Sequence, residues 1–159
     1  MPQNAPLFSV WLDDFFAAYY RRRPVNATFI GVHDYDHLLP DFSENAAGDT
    51  FAEMQSLLVR LETLPLESLS SAQNLDRILA RGFLQTQLWE FQSSHFHRGN
   101  PCLYTGEAVF GVISLFLNDF APVNQRVDAA IARMQTVPRL LEQGARNLRQ
   151  APAAWIEKA

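Results

Sequence analysis

The stretch LFSVWLDDFFAAYYRRR, residues 7–23, decides the fold class. Phe8, Leu12, Phe15, Phe16 and Tyr19 recur in steps of three and four, which lays them along one stripe of an α-helix, with Asp13 and Asp14 on the other side. Arg21-Arg22-Arg23 closes the segment, where cations favour the negative end of the helix dipole, and Pro24 stops it.

Downstream the same period returns between clear breakers. Ser43 offers an N-cap and Glu44 a first-turn acid, so the spacing of Phe51, Met54, Leu58 and Leu61 predicts a helix to about Leu64, ended by Pro65. Ser70 with Gln73 forms a capping box that opens a long run from about Ser71 to Arg98, with Leu75, Ile78, Leu79, Leu88 and Phe91 as its core face. Gly82 within it costs about 1 kcal/mol relative to Ala, which a close helix crossing would explain. Gly99-Asn100-Pro101 breaks that run. A strongly apolar helix is expected over roughly Thr105–Phe120 (Val109, Val112, Ile113, Phe116, Leu117), in a central position. From Pro122 the last segment runs to about Arg149, with Val127, Ile131, Met134, Leu141 and Leu148 inward and Pro138 kinking or splitting it. No segment alternates with period two for the length of a strand. The expected fold is all-α, five or six helices in a bundle-like arrangement, over a single helical region at residues 1–159.

Composition fits a packed chain. At 159 residues it can bury roughly 70% of its unfolded surface, and 48% hydrophobic with 19% charged residues is the balance of a folded protein. The net charge of −4 argues against nucleic acid as the main partner. Cys102 is the one cysteine, so there is no disulfide framework or thiolate metal cluster, and its neighbours suggest a half-buried structural thiol. The N-terminus lacks the basic stretch and apolar core of a signal peptide, and no apolar run nears the ~20 residues that span a bilayer. A soluble, cytoplasmic chain without a membrane partner is expected.

The segment PVNATFIGVHDYDHLLPDF, residues 24–42, mixes Pro, Gly and polar residues among aromatics and reads as an ordered loop, with at most a short helix from Asn26 to Val32. Within it His33-Asp34-Tyr35-Asp36-His37 packs two imidazoles and two carboxylates into five residues. On a helix His33 and His37 would face one way, as many zinc pairs do. In a loop the spacing guarantees nothing, and local pairing of the aspartates with Arg or helix ends is the simpler role. His95 and His97, two apart at the expected end of the long helix, would point about 200° apart and share no ion. There is no nucleophile elbow, phosphate loop or dinucleotide turn.

Pro24, Ala27-Thr28, Gly31, His33, Tyr35-Asp36, Leu39 and Asp41-x-Ser43 form an ordered string. Further landmarks are Leu58-x-Arg60-Leu61, Asn100-Pro101 with Tyr104, Arg133-Met134-x-x-Val137-Pro138-x-Leu140-Leu141, Ala145-Arg146-Asn147-Leu148 and Ala154-Trp155. Together they resemble the opening of a large family of uncharacterised bacterial proteins related to carboxypeptidase Taq. That resemblance implies an all-α metallopeptidase-like fold with a deep groove between long helices, and a zinc held by an HExxH helix and a downstream Glu. His33, His37, His95 and His97 are the four histidines and none begins HExxH, so no zinc ligand or general base carries over. The expectation is therefore an N-terminal part of a longer protein, non-catalytic by itself, with no catalytic residue, metal or cofactor of its own and zinc only in the longer parent. His33, Tyr35 and Asp36 are the candidates to line its substrate groove, a peptide being the possible substrate. Expected partners are the remainder of the parent or a second copy. A non-catalytic interaction or oligomerisation module is the alternative.

Overall fold

The computed structural model describes residues 5–93 and 96–158 and contains, among them, seven α-helices and no strand. Five are long: α1 (Ala5–Arg22), α3 (Glu44–Glu62), α4 (Ser71–Gln92), α5 (Pro101–Ile113) and α6 (Val123–Asn147). Two are short, α2 (Pro24–Phe29) and α7 (Ala153–Ile156), and single 3-10 turns follow α3 and α5.

Local chemistry places most ends where the sequence puts them. The Ser43 hydroxyl accepts from Ala46 N at 3.3 Å to cap α3. Ser70 and Gln73 exchange the two hydrogen bonds of a capping box at the start of α4. Pro24 ends α1 and also starts α2, because at the first helical position its missing N–H costs nothing. The short helix allowed from Asn26 to Val32 is thus present, shifted to residues 24–29. Gly31, at φ 94°, closes α2: Val32 N reaches Ala27 O at 2.8 Å and Gly31 N reaches Thr28 O at 3.1 Å, a Schellman ending.

Three ends differ from expectation, one of them the end of α5, which stops at Ile113 with a 3-10 turn to Phe116 instead of continuing to Phe120. α4 stops at Gln92 instead of continuing to Arg98, because the next turn is held by tertiary partners: the Tyr104 hydroxyl donates to His97 O, and Arg149 N to Arg98 O at 2.9 Å. α5 begins at Pro101, not near Thr105, again with Pro in its first turn. Pro138 does not split α6. The acceptor it leaves without a donor belongs to Met134, which is exposed and open to water.

Two groups of helices make the interior. In the first, α3 packs on α1 and α4 around Phe8, Trp11, Phe15, Met54, Leu57, Leu61 and Leu84, and the Trp11 indole donates to Leu57 O at 2.9 Å. In the second, α5 packs on α6 around Tyr104, Ala108 and Leu140, with Leu39 and Phe42 of the 30–43 segment laid against them. α2 bridges the two groups, touching α1 and α5.

The inward faces are rotated from the expected ones. α6 turns Arg126, Ala130, Arg133, Leu140 and Gly144 inward, while Val127, Ile131, Met134 and Leu141 stay exposed. α4 buries Ala80, Leu84 and Gln87, leaving Leu75, Ile78 and Leu79 outside. Phe16 is exposed and Trp11 takes its place inside. α5 is not wrapped on all sides: Val109, Ile113 and, beyond its end, Phe116 and Leu117 are exposed. Gly82 faces open space, so no helix crossing explains it. The close approach is at Gly144, where an added methyl would stand 2.6 Å from Tyr104 Cγ.

Candidate functional site

Residues 31–41, where His33, Tyr35 and Asp36 were expected to act, form an ordered turn clamped to the second helix group. Backbone bonds from Asp36 N to His33 O (3.4 Å) and Leu38 N to Tyr35 O (3.0 Å) fold residues 33–38 back on themselves. Leu39 packs against Gly111, where any added side chain would meet it at 2.6 Å. Residues 33–37 are therefore not helical, and the arrangement that would aim His33 and His37 alike does not arise.

The side chains of this turn feed a buried polar chain. His33 Nδ1 lies 3.1 Å from Asp36 Oδ2, and its ring stacks on Phe120 at 3.7 Å between centroids. The Thr28 hydroxyl donates to Asp36 Oδ1 at 2.6 Å and accepts from Arg133 Nη2 at 2.7 Å. Arg133, fully buried, also donates to the carbonyl of Gly111, to Ser114 Oγ at 3.2 Å and to the carbonyl of Pro24 at 3.4 Å. Burial lowers its pKa to about 10, against the pull of Asp36 and Glu107, so it remains a cation at neutral pH. Glu107 is pushed up by burial and drawn back by Arg23 and Arg133, and its Oε2 is buried without a hydrogen bond.

A buried cation facing two carboxylates is strongly destabilising when one partner is removed. Here it ties α2, the 33–38 turn, α5 and α6 together. Asp36 fixes the orientation of the half-exposed His33 ring, while Tyr35 is half-buried and His37 exposed. Among the described residues no group of three or more His, Cys, Asp or Glu side chains gathers to hold a metal, so the zinc that the resemblance implies does not fit this set. His95 lies outside the described residues. His97 is in the turn after α4 rather than on the helix, and it is buried with Nδ1 unpartnered. Cys102 is half-buried, its Sγ 3.6 Å from Trp155 O.

Two concavities flank this network. An apolar cleft of about 700 Å³ lies between α1, α2 and α4, lined by Phe15, Phe16, Tyr19, Tyr20, Leu79 and Phe83 among others. A polar groove of about 1080 Å³ lies between the start of α3, the 96–100 turn and the end of α6.

Sequence reasoning singled out His33 and Asp36 but missed their partners Thr28 and Arg133. A signal was present: Pro24, Thr28, His33 and Asp36 belong to the ordered string, and Arg133 to the further landmarks. What those landmarks left out is that they meet.

A family model described as a bacterial protein of unknown function, DUF885, matches residues 24–159. A search of curated proteins found no match. A solved structure of a Shewanella oneidensis protein of unknown function, described as a candidate lipoprotein, superposes with a TM-score of 0.85 at 23% identity, over 96% of this chain and 28% of that one. At that identity the likeness concerns the fold, and the chain spans about 28% of the solved relative's length.

Proposed function

Because the chain belongs to DUF885, a family of bacterial proteins of unknown function, we propose that it is an N-terminal helical wall of a larger, groove-bearing protein and is not catalytic by itself. The observation that carries this reading is the apolar surface left uncovered. Val123, Val127, Ile131, Met134 and Leu141 follow one face of α6 and are 40–62% exposed. Val109, Phe110 and Ile113 extend the pattern on α5. Contiguous exposed apolar residues along a helix face mark surfaces meant to be covered. The solved relative supports further chain as the cover, since this chain matches 28% of its length.

The resemblance to proteins related to carboxypeptidase Taq suggests what the larger protein does: hydrolysis at a zinc whose ligands lie in other chain. This region's share would be to shape the groove, with His33, Tyr35 and Asp36 in the turn nearest a peptide substrate. Cytoplasmic placement belongs to the same proposal, against which stands the description of the Shewanella protein as a candidate lipoprotein. Among the described residues no helix is long and apolar enough to cross a membrane.

The test is the reading frame past residue 159 together with kinetics of any longer product. An HExxH in that frame, and a peptidase kcat/KM lowered by His33→Ala, Tyr35→Phe or Asp36→Asn, is the expected outcome. Unchanged kinetics in all three variants would remove these residues from the groove. A stop codon directly after Ala159 would favour the interaction module, whose mark is a concentration-dependent dimer in light scattering that Ile131→Asp abolishes.

A further inference from the structure

The polar groove is lined by more cations than anions. Arg98, Arg139, Arg146 and Arg149 all line it, alongside Asp41, Glu44 and Glu142. Two of the four are accounted for. Arg139 Nη2 meets Asp41 Oδ2 at 2.6 Å, and Asp41 also accepts from Gln143 at 2.7 Å and Ser43 N at 2.8 Å. Arg146 stands 3.8 Å from Glu142, an exposed pair of little strength.

Arg98 and Arg149 differ. Arg149 N donates to Arg98 O at 2.9 Å, so the backbone clamps these two like-charged residues together. Among the described residues neither guanidinium reaches a carboxylate at ion-pair distance. The wall beside them carries the same imprint. His97 is only 6% exposed, its Nδ1 lacks a partner, and burial first and Arg98 second lower its pKa. Among the described residues the groove's carboxylates Asp41 and Glu142 pair with Arg139 and Arg146 instead. Ser43, the N-cap of the 19-residue α3, also lines the groove and turns the positive end of that helix toward it, partly offset by Glu44.

We propose that this groove binds a small, multiply charged anion of phosphate or oligocarboxylate chemistry, with Arg98 and Arg149 as its main contacts and Arg146 at its edge. Each guanidinium presents a planar fork of donors that matches two oxygens of one oxyanion, and two such residues lining one groove suit a ligand with at least two such groups. This reading is independent of the peptidase proposal.

Isothermal titration of the 159-residue chain with sodium pyrophosphate and with sodium citrate, each against sodium chloride at matched ionic strength, tests it. The expected result is saturable binding at one site per chain, weakened about tenfold by Arg98→Gln or Arg149→Gln. A response only to pyrophosphate assigns phosphate chemistry, only to citrate carboxylate chemistry, and an equal response to both a site selecting charge alone. Heats no larger than those with sodium chloride, or Gln variants that titrate like the parent, would overturn the proposal. If the Gln variants do not fold, Glu142→Gln decides: removing an exposed lining carboxylate should tighten binding about twofold, and unchanged or weaker binding would count against the site.

Discussion

The α1–α3–α4 group and the α5–α6 group, with α2 bridging them, have different kinds of interior. The first is filled by hydrocarbon and aromatic rings, with Phe8, Trp11, Phe15 and Tyr19 stacked in succession along α1. The second is organised around Arg133, whose donors reach α2, α5 and the turn after it, while Thr28 passes the contact on to Asp36. Apolar burial is non-directional and tolerates repacking. A buried cation is satisfied only when every partner stands in place, and losing one leaves the others desolvated and unpaired. The second group should therefore be the more brittle, although it holds less hydrocarbon.

The sharpest way to break that comparison is Arg133→Ala, which strands Asp36, Glu107 and Thr28 and should cost about 3–5 kcal/mol in urea unfolding. Arg133→Met, which keeps volume without charge, should recover part of the loss. If Arg133→Ala costs under about 1 kcal/mol, the network is ornamental and the comparison falls. On the other side Leu61→Ala, at a fully buried position between α1 and α4, should cost about 3 kcal/mol by lost transfer energy and a cavity. Its effect should shrink when Leu61→Met is made instead, the tolerance expected of an apolar interior. Gly144→Ala should cost about 1–3 kcal/mol, because the new methyl stands within 2.9 Å of three Tyr104 ring atoms and α5 must move off α6. A thermal midpoint equal to the parent's would mean that this interface yields easily.

The two groups were also unequally legible. In the first, the periodic run on α1, the caps at Ser43 and Ser70–Gln73 and the breaks at Pro24 and Pro65 all carry their meaning in local sequence. On α6, as on α4 of the first group, apolarity pointed the wrong way. Val127, Ile131 and Met134 look like a core face, yet the buried face is one residue away at Arg126, Ala130 and Arg133, a rotation of about 100°. Nothing in a single chain marks an arginine as interior, or a glycine as the seat of a tyrosine ring. Thr28 and Arg133 lie 105 positions apart, so their meeting is a tertiary fact that no local period records. The same reversal on α4 and α6 leaves the large apolar residues outside, where the proposed cover would seat.

The smallest effect, and the one that most sharpens the contrast, is a change of slope with pH. Glu107 has its pKa raised from 4.5, burial outweighing the attraction of Arg23 and Arg133. A carboxyl that holds its proton more tightly when folded lends stability that is fully present below its unfolded pKa, near 4.5, and is lost as pH climbs through its higher folded value. Glu107→Gln removes this proton linkage. Thermal midpoints of parent and variant should therefore lie closest at low pH and separate in the variant's favour as pH rises from about 4.5. Taking the difference cancels shared contributions such as Asp41, whose burial is outweighed by hydrogen bonds from Ser43 and Gln143 and by Arg139, and which gains stability with pH instead. A gap that stays constant across the range would mean that Arg23 and Arg133 fully compensate Glu107. A gap that opens the other way would mean that its charge is needed by Arg133 more than burial penalises it, and the second interior would then be an ion-paired core rather than a strained one.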